Sequence, residues 1–164
     1  MNRTSRIVSR KIFVSVLYEH ISNNTATHQD RLRIDLFEDP SRALEHMLYM
    51  ARWFFSKDQS TSAATQDLVD VEYLKGLIVG WSNADKIVQA VNGHSTTFQF
   101  ASMDPIDQAI FLSWGIEYLV HDTPFKVIIN EMIEIAKRYG DEWSPGLING
   151  IGHKVLHSLK ESDS

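Results

Sequence analysis

Two pairs of side chains have residue types and spacings that chemistry would need. His153 and His157 are four residues apart, so a helix would place both imidazoles on one side, an arrangement that can hold zinc. No nearby acidic residue or histidine supplies an obvious third ligand, and two exposed histidines are the simpler interpretation. Glu131 and Glu134 resemble an acid–base pair. Glu134 is better explained by an ion pair with Arg138, one helical turn later.

The rest of the sequence offers no positive support for catalysis. It contains no cysteine, which excludes disulfides, thiolate nucleophiles and cysteine-bound zinc. It also lacks a P-loop, a Gly-x-Gly-x-x-Gly motif and a Gly-x-Ser-x-Gly motif. We therefore predict a protein that is not an enzyme and that has no metal site and no cofactor.

The N-terminal segment carries a basic cluster. Four of the 16 basic residues and none of the 21 acidic residues lie within the first eleven positions, although the net charge of the chain is −5. On a helix Arg3, Arg6 and Arg10 fall within about a 60° arc, and Lys11 follows them. Arginine forms forked hydrogen bonds to phosphate oxygens, so this cluster is a candidate site for a phosphate backbone. A frayed, solvated terminus is the alternative interpretation.

Helix signals account for most of the chain. Each of the four prolines follows a residue type that caps helices well, and proline at the first helical position loses no hydrogen bond. Apolar residues then recur at three- and four-residue spacing. We predict helices at about 4–22, 41–57, 66–92 (broken near Ser82-Asn83), 105–121, 124–139 and from 144 onward. We interpret 22–30, 58–65 and 92–102 as loops, the last as a loop or a helix end, and His94 as a turn residue.

Length and composition fit an all-α protein. A chain of 164 residues with 43% hydrophobic and 23% charged residues has enough apolar material for one core. No stretch reaches the length of a membrane span, and the N-terminus lacks the pattern of a signal peptide. The sequence therefore predicts a cytoplasmic protein that does not contact membranes.

Two segments of the C-terminal half carry a family resemblance. The stretch from Pro124 to Gly140, PFKVIINEMIEIAKRYG, is similar to the NusB pattern Pro-x-Lys-Val-x-Ile-Asn-Glu-Ala-Val-Glu-Leu-Ala-Lys-x-Phe-Gly. The run from Leu147 to Ile151 resembles the Phe-Val-Asn-Gly-Val of the same family. The resemblance implies an all-α, compact helical bundle of two three-helix subdomains. In this chain a single NusB-like domain, 1–164, would divide into subdomains of about 1–64 and 65–164.

The resemblance also implies a function. NusB proteins are transcription antitermination factors that pair with NusE, a ribosomal protein of the small subunit. The pair binds boxA RNA in ribosomal RNA transcripts and joins NusA, NusG and RNA polymerase. Carried over by position, the resemblance and the basic cluster imply two sets of site residues. The RNA-binding set is Arg3, Arg6, Arg10, Lys11, Leu147 and Asn149, to which Trp143 is added, and the protein-binding set is Asp107 and Glu117. Trp143 stands where the family is usually acidic, and it either restores a stacking surface or covers the end of the helix.

This sequence departs from the family pattern where RNA contact is expected. Two basic positions of the arginine-rich segment are Ile7 and Val8, and the aromatic residue of the Asn-Gly segment is Leu147. We predict weaker RNA binding that depends more on NusE than in a typical member. The alternative is a homodimeric protein-interaction module with weak or masked RNA binding, because Ile7 and Val8 suit an apolar contact between two copies.

Overall fold

Helices form all the regular structure of the described chain. The computed structural model describes residues 3–23, 35–56 and 69–161, and these ranges contain no β-strand. The prediction of an all-α protein is therefore confirmed. The helices are α1 (Arg3–Asn23), α2 (Pro40–Ser56), α3 (Val71–Val79), α4 (Ala84–His94), α5 (Pro105–Val120), α6 (Phe125–Tyr139) and α7 (Ser144–Glu161), with short 3-10 turns at Asp35–Glu38, Gly80–Asn83 and Phe100–Ser102.

All four prolines lie within one residue of a helix start, as predicted. Pro40 and Pro105 are the first residues of α2 and α5. Pro124 precedes α6 as its N-cap residue, and Pro145 is the second residue of α7. The proline ring supplies a helical φ, and the N–H it lacks would have had no partner in the first turn. Local chemistry thus determines these boundaries.

The predicted helix at 66–92 differs from the structure at both of its ends. Val69 and Asp70 are not helical, and α3 begins at Val71 because the Asp70 carboxylate accepts the Tyr73 N–H at 3.1 Å and caps the helix. The predicted break is present as the 3-10 turn Gly80–Asn83. His94 is the last residue of α4 rather than a turn residue. The predicted loop at 22–30 was wrong at Ser22 and Asn23, which are helical in α1, and its remaining residues lie outside the described residues, as does the predicted loop at 58–65.

Helix α5 is the central element of the fold. Every residue from Asp107 to Glu117 is buried, and α1, α3, α4, α6 and α7 all pack against this helix. A helix that is apolar on all sides has to be surrounded by protein. Close approach depends on Gly115, because a methyl group there would lie 2.9 Å from Ile87 Cδ1 on α4.

The two predicted subdomains share contacts across the described part of the chain. Helix α1 packs on α3 and α5, and α2 packs on α3. Phe13 of α1 and Phe111 of α5 belong to one continuous apolar core. The predicted division near residues 64 and 65 falls outside the described residues, and it remains a prediction.

Gly115→Ala tests the tight contact between α4 and α5. The new Cβ would meet Ile87 at 2.9, 3.1 and 3.2 Å, so we expect a loss of about 1–3 kcal/mol in the free energy of unfolding measured with urea. Gly93→Ala in α4 is the matched control. Its Cβ would meet nothing within 4 Å, so the helix should become slightly more stable. Equal stability of Gly115→Ala and the unaltered chain would contradict this account of the packing.

Candidate nucleic-acid interface

The predicted arginine face of α1 points into the protein at Arg10. Its Nε and Nη2 donate to the two carboxylate oxygens of Glu117 at 2.8 and 2.9 Å. The side chains are 7% and 1% exposed. Burial alone would lower the pKa of Arg10, but the hydrogen bond and the negative charge of Glu117 outweigh it, and the pKa rises. The contact is a forked ion pair between α1 and α5.

Tyr73 of α3 completes this buried cluster. Its hydroxyl donates to Glu117 Oε1, and burial together with the Glu117 charge raises the pKa of Tyr73, so the phenol stays protonated. The guanidinium of Arg6 lies over the Tyr73 ring, 5.0 Å from its centroid. His121 stacks on the same ring at 4.6 Å. Three helices are therefore joined through one carboxylate and one aromatic ring.

Arg6 lies at the edge of the cluster. Its Nη2 is 3.2 Å from Asp70 Oδ2, and its side chain is 41% exposed, whereas that of Asp70 is 4% exposed. The backbone N–H of Asp70 donates to the hydroxyl of Ser9 at 2.8 Å, which in turn donates to the carbonyl of Ser5. Asp70 therefore caps α3 and also holds α1 in place. Arg6 keeps an exposed part that a ligand can reach.

Three of the predicted site residues are internal. Arg10 is committed to Glu117, so in this structure it does not present its guanidinium to RNA. We expected Asp107 and Glu117 on an exposed protein-binding surface. They are instead 2% and 1% exposed, so both are buried. The physical reason is that a carboxylate on an enclosed helix needs a cation or a hydrogen-bond donor inside the protein. The side chain of Arg3 lies outside the described residues.

Sequence reasoning missed Asp70, Tyr73 and His121 as members of this cluster. One signal was available, because Glu117 lies in an otherwise apolar part of α5 and therefore required a buried cation. The candidate cations are distant in sequence, and nothing local distinguishes Arg10 from the other basic residues.

Lys11 belongs to a different, exposed side of α1. It lines a groove of about 330 Å³ together with Val14, Ser15 and Tyr18 of the same helix, Ile106 of α5 and Tyr139 of α6. Tyr18 and Tyr139 are 44% and 55% exposed. A groove lined by a cation and two accessible aromatic rings suits unpaired bases, which can stack on the rings while the cation meets a phosphate.

Trp143 and Leu147 lie together in a second groove, at the turn between α6 and α7. Phe98, Glu142 and Gly146 complete its lining, and its volume is about 590 Å³. Trp143 is 58% exposed. Asn149 is exposed on α7 but does not line this groove. The structure thus brings two of the predicted RNA-binding residues together and adds Phe98, which the sequence did not indicate.

Acidic side chains lie beneath the start of α7. Burial raises the pKa of Asp107; the hydroxyl of Ser144 opposes that shift, and the charge of Asp141 adds to it. Asp107 Oδ1 is buried without a hydrogen-bond partner. The pKa of Asp104 is raised by a hydrogen bond to Asp141, by burial and by neighbouring charge. The carboxyl groups of Asp104 and Asp107, at the start of α5, therefore interact electrostatically with Asp141 and Ser144 at the start of α7.

Within the described ranges, no group of three or more histidine or acidic side chains could hold a metal ion. No described helix is long and apolar enough to cross a membrane.

Glu134 pairs with Lys137 at 3.7 Å, a different partner from the predicted Arg138.

Comparison with known proteins identifies the family. The helices place this protein in the class of all-α domains, and it is built around one buried helix, α5. Residues 8–157 match the sequence model of the NusB family, and the chain therefore belongs to that family. This family is not one of enzymes, so the prediction of a non-enzymatic protein is confirmed.

Three relatives are each called transcription antitermination protein NusB. The protein from Picosynechococcus sp. is 36% identical over 80 residues, 49% of this chain and 38% of the relative. That from Pseudoalteromonas translucida is 37% identical over 95 residues, 57% of this chain and 69% of the relative. That from Syntrophotalea carbinolica is 39% identical over 91 residues, 54% of this chain and 58% of the relative. Two of these matches thus span less than two thirds of the relative.

Removing one partner of the buried ion pair should cost more than removing both. Glu117→Leu leaves Arg10 buried and unpaired, and we expect a loss of about 3–5 kcal/mol in the free energy of unfolding. Adding Arg10→Met to Glu117→Leu should recover a large part of the lost stability. Denaturant unfolding of both single variants and the double variant forms the necessary cycle. Simple addition of the two single losses would show that the residues do not act as a pair.

Asp107→Asn should stabilise the protein at neutral pH. Because the pKa of Asp107 is raised in the folded state, its contribution to stability falls as pH rises through that pKa. The amide removes a buried charge from a carboxylate whose Oδ1 has no hydrogen-bond partner in the described part of the chain. We expect a gain of about 1–3 kcal/mol at pH 7 that shrinks toward acidic pH.

Thermal unfolding across a pH series measures this difference. The exposed residue Asp85 in the first turn of α4 provides the control, and Asp85→Asn should give no gain, since a carboxylate is favourable at that position. A gain for Asp107→Asn that grows toward acidic pH would have the wrong sign and would refute the assignment.

Proposed function

We propose that this protein is a transcription antitermination factor that binds boxA RNA of ribosomal RNA transcripts together with NusE, and that joins NusA, NusG and RNA polymerase. Membership in the NusB family over residues 8–157 supports the general function. The names of its relatives, transcription antitermination protein NusB, support it further. The specific partners follow from the resemblance of this sequence to that family.

The observation that carries RNA binding is the pair of exposed, aromatic-lined grooves. Lys11, Tyr18 and Tyr139 line the first groove, and Trp143 lines the second. Base–aromatic stacking tolerates any sequence, and cations supply the contacts to phosphate. Single-stranded RNA can use both kinds of contact here without a continuous arginine surface.

The roles of the N-terminal basic residues differ in this proposal. Lys11 and the exposed part of Arg6 contact phosphate, and Arg3 is proposed to extend the same contact. Arg10 acts indirectly, because its ion pair with Glu117 fixes the orientation of α1. Leu147 and Asn149 contact RNA beside Trp143. Because this proposal assigns phosphate contacts to Lys11, Arg3 and part of Arg6 on a chain of net charge −5, we propose that affinity for RNA depends strongly on NusE.

NusE binding is proposed for the outer parts of the helices around α5. Asp107 and Glu117 support that surface from inside, since both are buried. A homodimer that covers the RNA-binding face is the competing function. Gel filtration distinguishes the two, because a dimer that separates when RNA is added would indicate masking, whereas a monomer would remove the dimer proposal.

Substitutions in the two grooves test RNA binding. Trp143→Ala or Tyr139→Ala should each weaken binding to boxA RNA by about 5- to 150-fold, the effect of losing one stacked base. Lys11→Gln should lower the slope of log affinity against log salt by about 0.7, the value for one lost phosphate contact. Fluorescence anisotropy with labelled boxA RNA, with and without NusE, measures both effects.

The exposed side chains of Tyr49 on α2 and Lys75 on α3 supply matched controls. Tyr49 is 67% exposed, and Lys75 pairs only with Glu72 on its own helix in the contacts that the structure records. Tyr49→Ala and Lys75→Gln should leave RNA binding unchanged. RNA affinities that do not differ among all these variants would exclude the grooves as the binding surface. No binding of boxA RNA in the presence of NusE would exclude the function itself.

A further inference from the structure

The outward face of α7 has a different charge from the rest of the molecule. The chain carries a net charge of −5, yet α7 contains Lys154, Lys160 and two histidines, and its single acidic residue, Glu161, is its last. At 100° per residue, Asn149, His153, His157 and Lys160 fall within about an 80° arc. All four are exposed, and His153 and His157 lie on the side of α7 next to α6.

The two histidines rest on an aromatic ring of α6. The His157 ring stacks on Phe125, with centroids 4.5 Å apart and planes 19° apart, and His153 is tilted against the same ring at 5.3 Å. Phe125 also meets Tyr118 of α5 edge-on at 6.0 Å. Lys160 Nζ lies 4.7 Å from the centroid of the Tyr118 ring. The two exposed imidazoles and the lysine ammonium group thus pack against partly buried aromatic rings.

This arrangement offers two kinds of contact to one class of ligand. Flat, exposed rings held by neighbouring rings can stack on unpaired bases, and lysine ammonium groups can neutralise phosphates. An acidic peptide would use the cations but would leave the imidazole faces without a comparable partner. Charge and ring geometry together favour single-stranded RNA.

The face begins near the second groove but lies on a different side of α7. Leu147 lines that groove, and Asn149, two residues later, is about 160° around the helix from it. From Asn149, a rise of 1.5 Å per residue places Lys160 about 16 Å farther along the axis, so the face offers RNA a contact separate from the one at Trp143.

We infer that the outward face of α7, from Asn149 through His153 and His157 to Lys160, is a second contact site for single-stranded RNA that extends the binding surface beyond the groove at Trp143. This inference rests on the proposed function, because it assigns additional nucleotides of the same RNA to a separate surface.

Binding to RNA of two lengths tests this assignment. One probe is an oligoribonucleotide limited to boxA, and the other is the same sequence with several unpaired nucleotides added at each end. The unaltered chain, together with NusE, should bind the longer probe more tightly. His153→Ala with His157→Ala should reduce affinity for the longer probe by roughly fivefold or more and leave affinity for the short probe unchanged.

Charge variants add an independent measurement. Lys160→Gln should lower the salt slope for the longer probe by about 0.7, the value for one single-strand phosphate contact. Lys160→Arg should retain wild-type affinity because it keeps the charge. Lys75→Gln is the matched control for charge, and circular dichroism with thermal unfolding confirms that each variant is folded.

The outcomes separate the inference from the function on which it rests. If the histidine and lysine variants bind the longer probe like the unaltered chain, the α7 assignment is wrong, while binding of the short probe still supports the proposed function. If affinity falls equally for both probes, α7 does not contact added nucleotides and the inference is likewise overturned. If neither probe binds the unaltered chain with NusE, the proposed function fails as well.

Discussion

The forked contact between Arg10 and Glu117 is the interaction on which the arrangement of the helices depends. Helices with apolar faces can pack in several registers, because the hydrophobic effect is not directional. Two parallel hydrogen bonds between a guanidinium and a carboxylate permit only a narrow range of distances and angles. The pair therefore specifies how α1 lies on α5, and the Tyr73 hydroxyl extends the same constraint to α3. Its main contribution is specificity of the fold, since burying two charges offsets much of their attraction.

This constraint also determines which side of α1 remains available to a ligand. Arg10 is turned inward, and Arg6 is partly held by Asp70. The exposed surface next to them presents Lys11 and Tyr18. A helix whose sequence indicates an arginine-based phosphate site therefore has an outer surface in which aromatic rings contribute as much as charge. That distribution fits a ligand with unpaired bases better than it fits a general polyanion.

Local signals predicted the helices well, and long-range contacts account for what the sequence could not show. Proline and capping chemistry predicted the helix starts at Pro40 and Pro105, because both depend on neighbouring residues only. The pairing of Arg10 with Glu117 joins residues 107 positions apart, and that of Arg6 with Asp70 joins residues 64 positions apart. Periodicity carries no information about such partners. For the same reason, the grooves could not be assembled from sequence, although Trp143 and Leu147 were recognised individually.

The two buried acids of α5 give this helix a role at both candidate RNA surfaces. Asp107 and Glu117 are ten residues, or about 15 Å, apart along the helix. Glu117 holds α1, which carries Lys11, while Asp107 lies near Ser144, which begins α7 beside Trp143 and whose hydroxyl acts to lower the pKa of Asp107. Neither carboxylate can touch a ligand, yet each lies against an element that can. Because both elements pack on the same helix, whose residues from Asp107 to Glu117 are all buried, α5 contributes to the distance between the two grooves. Under the proposed function, a strand of RNA that occupied both grooves would have to match that distance, so the buried helix would contribute to recognition without contacting the RNA.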